Sequence, residues 1–108
     1  MHIDIDGFKQ INDTRGHKAG DYVLTQVSRR LESIASEVAQ VARVGGDEFV
    51  LVAVFQQPEQ SLQLAKRMAT RIVSLLEKPV TYEEFDCRIS ASVAVSYTHL
   101  TLPTIYSV

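Results

Sequence analysis

Acidic residues in two separate parts of this chain have the types and spacing for metal-dependent chemistry. Asp47 and Glu48 directly follow the glycine pair Gly45-Gly46, and β-prone residues flank all four. This pattern predicts the tip of a hairpin, with the glycines in the positive-φ conformation that a tight turn needs. Glycine lets a ligand approach the backbone closely, and carboxylates bind hard divalent cations. The tip therefore suits a nucleotide phosphate and its Mg²⁺.

The second acidic group stands at the start of the chain. Met1–Asp6 alternates strictly between apolar and polar residues from position 2 onward, which is typical of a strand. Ile3 and Ile5 are predicted to lie on one face, and Asp4 and Asp6 on the other. An Asp-x-Asp strand is a weak signal by itself, because any polar strand face has the same pattern. Its value depends on the residues that accompany it.

Those residues form two longer motifs. The first is Asp4-x-Asp6-x-Phe8-Lys9-x-Ile11-Asn12-Asp13-x-x-Gly16-His17-x-x-Gly20-Asp21, and the second is Arg43-x-Gly45-Gly46-Asp47-Glu48-Phe49. Together they resemble the GGDEF domain of bacterial diguanylate cyclases, over about residues 1–96. Two motifs at compatible spacing are far more specific than either motif alone.

The resemblance implies an enzyme that joins two GTP molecules into cyclic di-GMP as a homodimer and releases pyrophosphate. Such phosphoryl transfer works by positioning the nucleotides and by neutralising charge with metal ions. The resemblance assigns metal binding to Asp4, the backbone carbonyl of Ile5, Asp47 and Glu48, with Mg²⁺ expected and Mn²⁺ as an alternative. Asp47 and Glu48 are also the expected catalytic residues, because they can polarise the attacking hydroxyl.

Substrate binding is assigned by the same resemblance to Phe8, Lys9, Asn12, Asp21, Gly45 and Gly46. A carboxylate can accept the two adjacent N–H groups of guanine, and Asp21 matches that role. Asn12 matches the other contact with the base. From spacing alone, Asp21 suits a helix N-cap and Asn12 suits an Asn-Asp turn.

Three further residues have open interpretations. Lys9 suits either a phosphate contact or a surface ion pair. Phe8 is also expected in the core, as is Phe49. Arg43 suits either a brace for the hairpin turn or a contact with a partner chain.

The elements that must position these residues follow from hydrophobic periodicity. The predicted elements are a strand over 1–6, a short helical turn over 9–13, a helix over about 21–35, a hairpin over 41–44 and 48–55, a helix from Pro58 that ends before Pro79, and strands over 80–82 and 87–95. The order β-α-α-β-β-α-β-β predicts an α+β fold with helices packed on a mainly antiparallel sheet. The resemblance implies the palm-like sheet of nucleotidyl cyclases and polymerases.

Composition limits the class of protein. A chain of 108 residues that is 45% apolar is predicted to form a soluble globular domain or part of one. A net charge of −2 argues against a nucleic-acid partner and against a polybasic membrane patch. The single cysteine, Cys87, excludes an internal disulfide and favours a reducing, cytoplasmic location. The apolar run over 49–55 is too short to span a bilayer, so no direct membrane contact is expected for this segment.

The ends of the chain fit the family pattern poorly. Residues 97–108 contain neither a helical stripe nor any lysine or arginine, and they are predicted to be a non-native or disordered tail with some potential to pair with a sheet edge. Residues 1–96 are expected to form a partial domain, truncated at both ends and inactive by itself. The alternative functions are a degenerate GTP-binding regulatory module attached to a cyclic-di-GMP phosphodiesterase, and an inert fragment.

Overall fold

A computed structural model of the chain describes residues 1–36, 39–55, 58–96 and 104–107. Its elements in chain order are β1 (His2–Asp6), α1 (Phe8–Arg15), α2 (His17–Ala35), β2 (Ala39–Arg43), β3 (Glu48–Ala53), α3 (Pro58–Leu76), β4 (Val80–Tyr82), β5 (Phe85–Cys87), β6 (Ser90–Val95) and β7 (Thr104–Ser107). This mixture of helices and antiparallel strands confirms the predicted α+β class.

The main sheet has β1 at its centre. Among the described residues its strand order is β2-β3-β1-β6-β7, and every neighbouring pair is antiparallel. The strand that carries the first acidic group therefore has the hairpin strand β3 on one side and β6 on the other. This order places the two acidic groups on adjacent strands although they are far apart in sequence.

One face of this sheet carries the core. The helices pack together and against it, with α2 on β2 and α3 on β6. The strand residues that alternate toward the helices are buried, namely Ile3, Ile5, Phe49, Leu51, Ala91, Val93 and Val95. The residues between them, such as Asp4 and Glu48, are only partly buried. The acidic groups thus lie on the face away from the helices, where solvent and ligands reach them.

Two helices begin earlier than periodicity predicts. α1 starts at Phe8, directly after Gly7, whose φ of 87° belongs to the left-handed region that glycine adopts without strain. α2 starts at His17 rather than near Asp21, and Ala19 and Gly20 in its first turn are buried. Such small residues add little to an apolar stripe, so hydrophobic periodicity does not reveal this first turn.

The predicted strand over 87–95 is two strands, which corrects the sequence interpretation. β5 pairs with β4 in a separate two-stranded sheet, while β6 joins the main sheet. The backbone between them passes Gly7, where an added Cβ would lie 3.3 Å from the carbonyl oxygen of Arg88. Cys87, Ile89 and Ala91 are all buried, so alternation continues across the break and conceals it.

Arg30 joins α2 to the end of α3. Its guanidinium donates hydrogen bonds to the carbonyl oxygens of Leu75, Lys78 and Pro79 at 3.3, 2.6 and 3.2 Å. The last carbonyls of a helix lack partners within the helix, and a cation is favoured there. Arg30 therefore terminates α3 and fixes the start of the chain toward β4.

The predicted tail over 97–108 falls mostly outside the described residues. Its four described residues, Thr104–Ser107, form β7 and pair with β6 from Ser92 to Val95. β7 is thus an addition to the predicted element order. It lies at the edge of the main sheet, beside β6, which agrees with the expected potential of residues 97–108 to pair with a sheet edge. Its native or non-native origin stays a prediction.

Candidate functional site

Asp4 and Glu48 lie directly opposite each other on neighbouring strands. In the antiparallel register of β1 and β3, Asp4 pairs with Glu48 and the buried Ile3 pairs with Phe49. Side chains that face each other in such a pair are about 4.5–5.5 Å apart at Cβ. The structure therefore brings one carboxylate of each predicted acidic group to the same point on the open face of the sheet.

A third side chain, His2, completes this group. Its Nδ1 lies 3.8 Å from Oδ2 of Asp4, and its Nε2 lies 3.8 Å from Oε2 of Glu48. One ligand atom from each of His2, Asp4 and Glu48 can be chosen so that all three lie within 4.8 Å of one another. These atoms form a cluster that could hold a cation.

Asp47 joins the hairpin tip to β1 through its backbone. The backbone N–H of Ile5 donates a hydrogen bond of 2.9 Å to the carbonyl oxygen of Asp47, which fastens the hairpin tip to β1. The Asp47 side chain is exposed and is not a member of the cation cluster. Successive side chains in extended backbone alternate in direction, which places Glu48, not Asp47, opposite Asp4.

The hairpin turn is held by Arg43. Its Nε donates to the carbonyl oxygen of Gly45 and its Nη2 donates to that of Gly46, both at 3.0 Å. The N–H groups of Val44 and Gly45 both donate to the carbonyl oxygen of Glu48, at 3.0 and 3.3 Å. The bracing role that the sequence left open for Arg43 is therefore present in the structure.

Gly45 and Gly46 do not adopt the backbone conformation that was predicted for the turn. Neither Gly45 nor Gly46 has a positive φ, so the expected left-handed turn is wrong. A Cβ at Gly45 would lie 3.0 Å from Oε2 of Glu48 and 3.4 Å from its Cβ. A Cβ at Gly46 would meet nothing within 4 Å. Gly45 makes room for the Glu48 carboxylate, and Gly46 leaves open space beside the backbone.

A groove of about 380 Å³ lies between α2 and the end of β2. Its lining residues are Asp21, Leu24, Thr25, Ser28 and Arg43. The four from α2 recur at helical spacing and form one stripe along the helix. Because Arg43 also braces the hairpin turn, the groove and the turn share one side chain.

The predicted base-binding residues lie on α1 and α2. Asp21 is exposed in the second turn of α2, whose N-cap is Gly16, so the N-cap interpretation of Asp21 is wrong. Asn12 lies against Gly20, where an added Cβ would overlap the Asn12 side chain. Asn12 belongs to α1 rather than to a turn. Gly20 therefore lets α1 approach α2 closely enough to place Asn12 near the first turns of α2.

The remaining predicted substrate contacts differ in accessibility. Phe8 is 7% exposed and belongs to the core, as the sequence also suggested. Lys9, the next residue, is exposed on α1. Phe8 can therefore act only by supporting α1 from the core. The exposed side chain of Lys9 can reach an anion in solution.

Sequence reasoning missed several residues of this region. His2 shares a strand face with Asp4 at a spacing of two, and that alternation was available as a signal. Leu24, Thr25 and Ser28 follow Asp21 at helical spacing. Their position beside Arg43 depends on how α2 packs near the end of β2, which helical spacing does not predict. The second aspartate of the strand, Asp6, accepts hydrogen bonds from the hydroxyls of Ser90 and Ser92 at 3.4 and 2.9 Å, which gives it a structural role.

Comparison with protein families supports the assignment made from the two motifs. The family model described as "Diguanylate cyclase, GGDEF domain" matches residues 1–105. This chain belongs to the GGDEF family. None of the helices in the described part of the chain is long and apolar enough to cross a membrane.

Individual relatives show the same family. The chain is 35% identical over 96 residues to the bifunctional diguanylate cyclase/cyclic di-GMP phosphodiesterase MucR of Pseudomonas aeruginosa, which covers 89% of the chain and 13% of MucR. It is 34% identical over its whole length to diguanylate cyclase A of Treponema denticola, of which it spans 28%. A sensory box/GGDEF family protein from Caulobacter crescentus has a similar solved structure, with a TM-score of 0.71, 33% identity, and coverage of 97% of this chain and 61% of that one.

Proposed function

We propose that this chain is the core of a diguanylate cyclase domain, which converts two GTP molecules into cyclic di-GMP and two pyrophosphates. The observation that carries the proposal is the pairing of Asp4 with Glu48 across adjacent strands, beside a glycine turn with open space at Gly46. Membership of the GGDEF family supports the same activity. The chain spans 13% of MucR and 28% of diguanylate cyclase A, so the activity of any whole protein is part of this proposal.

The reaction requires two copies of the site. The 3′-oxygen of each GTP forms a bond to the α-phosphorus of the other, the bond from that phosphorus to the pyrophosphate oxygen breaks, and the hydroxyl proton passes to a base. Glu48 is the proposed base, because its carboxylate is half-exposed on the open face. Within the part of the chain that the structure describes, Asp4 and Glu48 form one such carboxylate pair, and a homodimer is proposed to supply the second site.

The donor set fits a hard divalent cation. Asp4 and Glu48 supply oxygen atoms at one point, and the Ile5 and Asp47 backbones are joined beside them. Mg²⁺ prefers such oxygen ligands and retains several waters, and Mn²⁺ accepts the same set. When bound, the ion would neutralise the charge of the phosphates; Asp4, the Ile5 carbonyl, Asp47 and Glu48 are the residues proposed to hold it.

Guanine is proposed to bind in the groove beside Asp21. The exposed Asp21 carboxylate can accept two adjacent N–H groups, and Asn12 lies close to the same turns of α2. Adenine presents no such pair of donors to a carboxylate. Gly45 and Gly46 are proposed to admit phosphate to the turn, and Lys9 is proposed to contact it, with Phe8 supporting α1 from the core.

The test is turnover of GTP and ATP by this sequence placed in a complete GGDEF domain, followed by pyrophosphate release with Mg²⁺. GTP is expected to be preferred by about a hundredfold, because bound adenine would cover the Asp21 carboxylate without offering it the two N–H donors of guanine. Asp21→Asn should reduce that preference, whereas Asp13→Asn, a matched change at an exposed acid on α1, should not. Equal turnover of ATP and GTP would contradict the assignment of Asp21 and Asn12.

A regulatory role is the second candidate. The relative MucR combines cyclase and phosphodiesterase activities in one protein, so a GGDEF domain of this kind can stand beside a phosphodiesterase. A purely regulatory module would bind GTP without releasing pyrophosphate. Calorimetry with GTP, carried out beside the turnover assay, separates the two candidates.

The 108-residue chain by itself is proposed to be nearly inactive and to reside in the cytoplasm. Residues 97–108, which we propose to be non-native, supply no lysine or arginine to the triphosphate. Loss of charge neutralisation in phosphoryl transfer costs several kcal/mol of barrier, or about a thousandfold in rate. Comparable pyrophosphate release by this chain and by the complete domain would overturn the proposal of inactivity.

A further inference from the structure

The carboxylates of Asp4 and Glu48 have an imidazole beside them. His2 stands two residues before Asp4 on β1, so strand alternation places both side chains on the open face of the sheet. Across the strand pair, His2 is diagonal to Glu48, because Asp4 pairs with Glu48 and His2 pairs with Val50. All three side chains are roughly half-exposed, so a metal ion in solution can reach them.

The spacing of the three ligand atoms is close to that of a metal site. Bonds of about 2.0–2.2 Å in a tetrahedral arrangement place neighbouring ligand atoms roughly 3.3 Å apart. The ring nitrogens of His2 lie 3.8 Å from an oxygen of each carboxylate, and the three chosen ligand atoms lie within 4.8 Å of one another. Half-exposed side chains can close the remaining difference by small rotations, without movement of the strands.

The chemistry of the donors distinguishes this set from an oxygen-only one. Mg²⁺ binds carboxylates, carbonyls and water, whereas an imidazole nitrogen favours borderline ions later in the first transition series. Within the described ranges, the ion pairs of Asp4 and Glu48 are both with His2, so no lysine or arginine side chain there competes for these oxygens. One nitrogen and two carboxylate oxygens leave a fourth position open to water.

We propose that His2, Asp4 and Glu48 form a three-ligand site for Zn²⁺, which competes with the catalytic divalent cation for the two carboxylates. The inference shares Asp4 and Glu48 with the proposed function. Binding of Zn²⁺ by the chain nevertheless requires neither GTP nor turnover. A bound Zn²⁺ would make both carboxylates unavailable, so Zn²⁺ acts as an inhibitor of the Mg²⁺-dependent reaction.

The test is calorimetric titration of the 108-residue chain with Zn²⁺ in the absence of nucleotide, together with the visible absorption spectrum of Co²⁺ as a probe of nitrogen coordination. One Zn²⁺ per chain is expected. His2→Gln and Glu48→Gln are each expected to weaken binding at least tenfold and to reduce the Co²⁺ absorption. His17→Gln and His99→Gln remove the other two histidines and serve as matched controls, expected to stay within twofold of the parent chain.

Two results would overturn the inference. One is a Zn²⁺ affinity unchanged by His2→Gln. The other is an affinity that depends on His2 but not on Glu48, because the terminal amine and the His2 imidazole would then bind the ion without the carboxylates. The Zn²⁺ site and the proposed function can be tested separately. GTP turnover with Mg²⁺ in a domain that does not bind Zn²⁺ would contradict the Zn²⁺ site alone.

Discussion

At the scale of single residues, the position of the Glu48 carboxylate depends on the missing side chain at Gly45. The gap between an added Cβ and Oε2 of Glu48 is only 3.0 Å, while the neighbouring Gly46 has open space. Both glycines have backbone conformations that alanine can adopt. The pair therefore offers a direct comparison of two similar substitutions with different consequences.

Gly45→Ala is expected to displace the Glu48 carboxylate and to weaken Mn²⁺ binding by about tenfold, which is typical when the support of a ligand is lost. Gly46→Ala is expected to leave Mn²⁺ binding unchanged. Both variants should change the free energy of unfolding by less than about 1 kcal/mol, because only the end of a side chain must move. Calorimetric titration with Mn²⁺ and urea denaturation measure the two effects.

Equal Mn²⁺ affinities for the two alanine variants would contradict the role given to Gly45. A large loss of stability in Gly45→Ala would also contradict it, since the turn rather than the carboxylate would then be affected.

The site residues were predictable from the sequence to different degrees. Asp4 and Glu48 were predictable because strand alternation and a hairpin tip are local patterns. The choice of Glu48 over Asp47 as the partner of Asp4 required the register of β1 and β3, which forms between distant segments. The prediction for the turn at Gly45 was wrong. Glycine permits both a positive φ and the close approach of another group, and the sequence does not show which of the two a given glycine is needed for.

At the scale of elements, the β4–β5 hairpin contains an unfavourable turn. Glu83 and Glu84 have φ values of 47° and 72°, in the left-handed region that residues with a Cβ avoid. Two-residue hairpin turns with positive φ at both positions favour Asn-Gly. The turn therefore stores strain at two residues, and a single substitution can remove the part at one of them.

Glu84→Gly is expected to stabilise the protein by up to about 1 kcal/mol. A left-handed residue with a Cβ costs about 1–2 kcal/mol, and the greater backbone freedom of unfolded glycine offsets about 0.5–1 kcal/mol of the gain. Thermal denaturation followed by circular dichroism should show a higher midpoint. Glu84→Ala removes the same charge but keeps the Cβ, so it should give no such increase; an equal increase would point to charge rather than strain.

Prediction of the elements succeeded where apolar residues recur and failed where small residues replace them. The stripe of α3 and its start at Pro58 were evident from the sequence. The first turn of α2 was not predicted, because its buried residues Ala19 and Gly20 are small and add almost nothing to the hydrophobic pattern. The break between β5 and β6 was hidden because burial alternates through it.

At the scale of the whole molecule, Arg30 connects the two long helices and the smaller sheet. Its three acceptors are backbone carbonyls at the end of α3 and just before β4. No periodicity in the sequence identifies such a residue, because Arg29 and Arg30 look alike until the helix faces are known. Arg29 is exposed and serves as a natural comparison.

Arg30→Ala is expected to lower the free energy of unfolding by about 1–3 kcal/mol, because charged donors to several carbonyls are lost. Arg29→Ala should change it by less than about 0.5 kcal/mol. Arg30→Lys should give an intermediate loss, since one ammonium cannot reproduce the planar fork of the guanidinium. Urea denaturation of the three variants gives the comparison, and equal losses for Arg29→Ala and Arg30→Ala would contradict the bracing role.

The central position of β1 also has a consequence during protein synthesis. This strand leaves the ribosome before both of its neighbours, and Asp6 is 84 residues ahead of its partner Ser90. At about 5–20 residues per second, synthesis reaches Ser90, the first residue of β6, roughly 4–17 seconds after Asp6. Until β3 has been made, Ile3 and Ile5 have no partner strand at all, and until β6 has been made one side of β1 stays unpaired. Chaperones that bind exposed apolar segments would therefore meet β1, with Asp4 and Asp6 on it, before the sheet around it is complete.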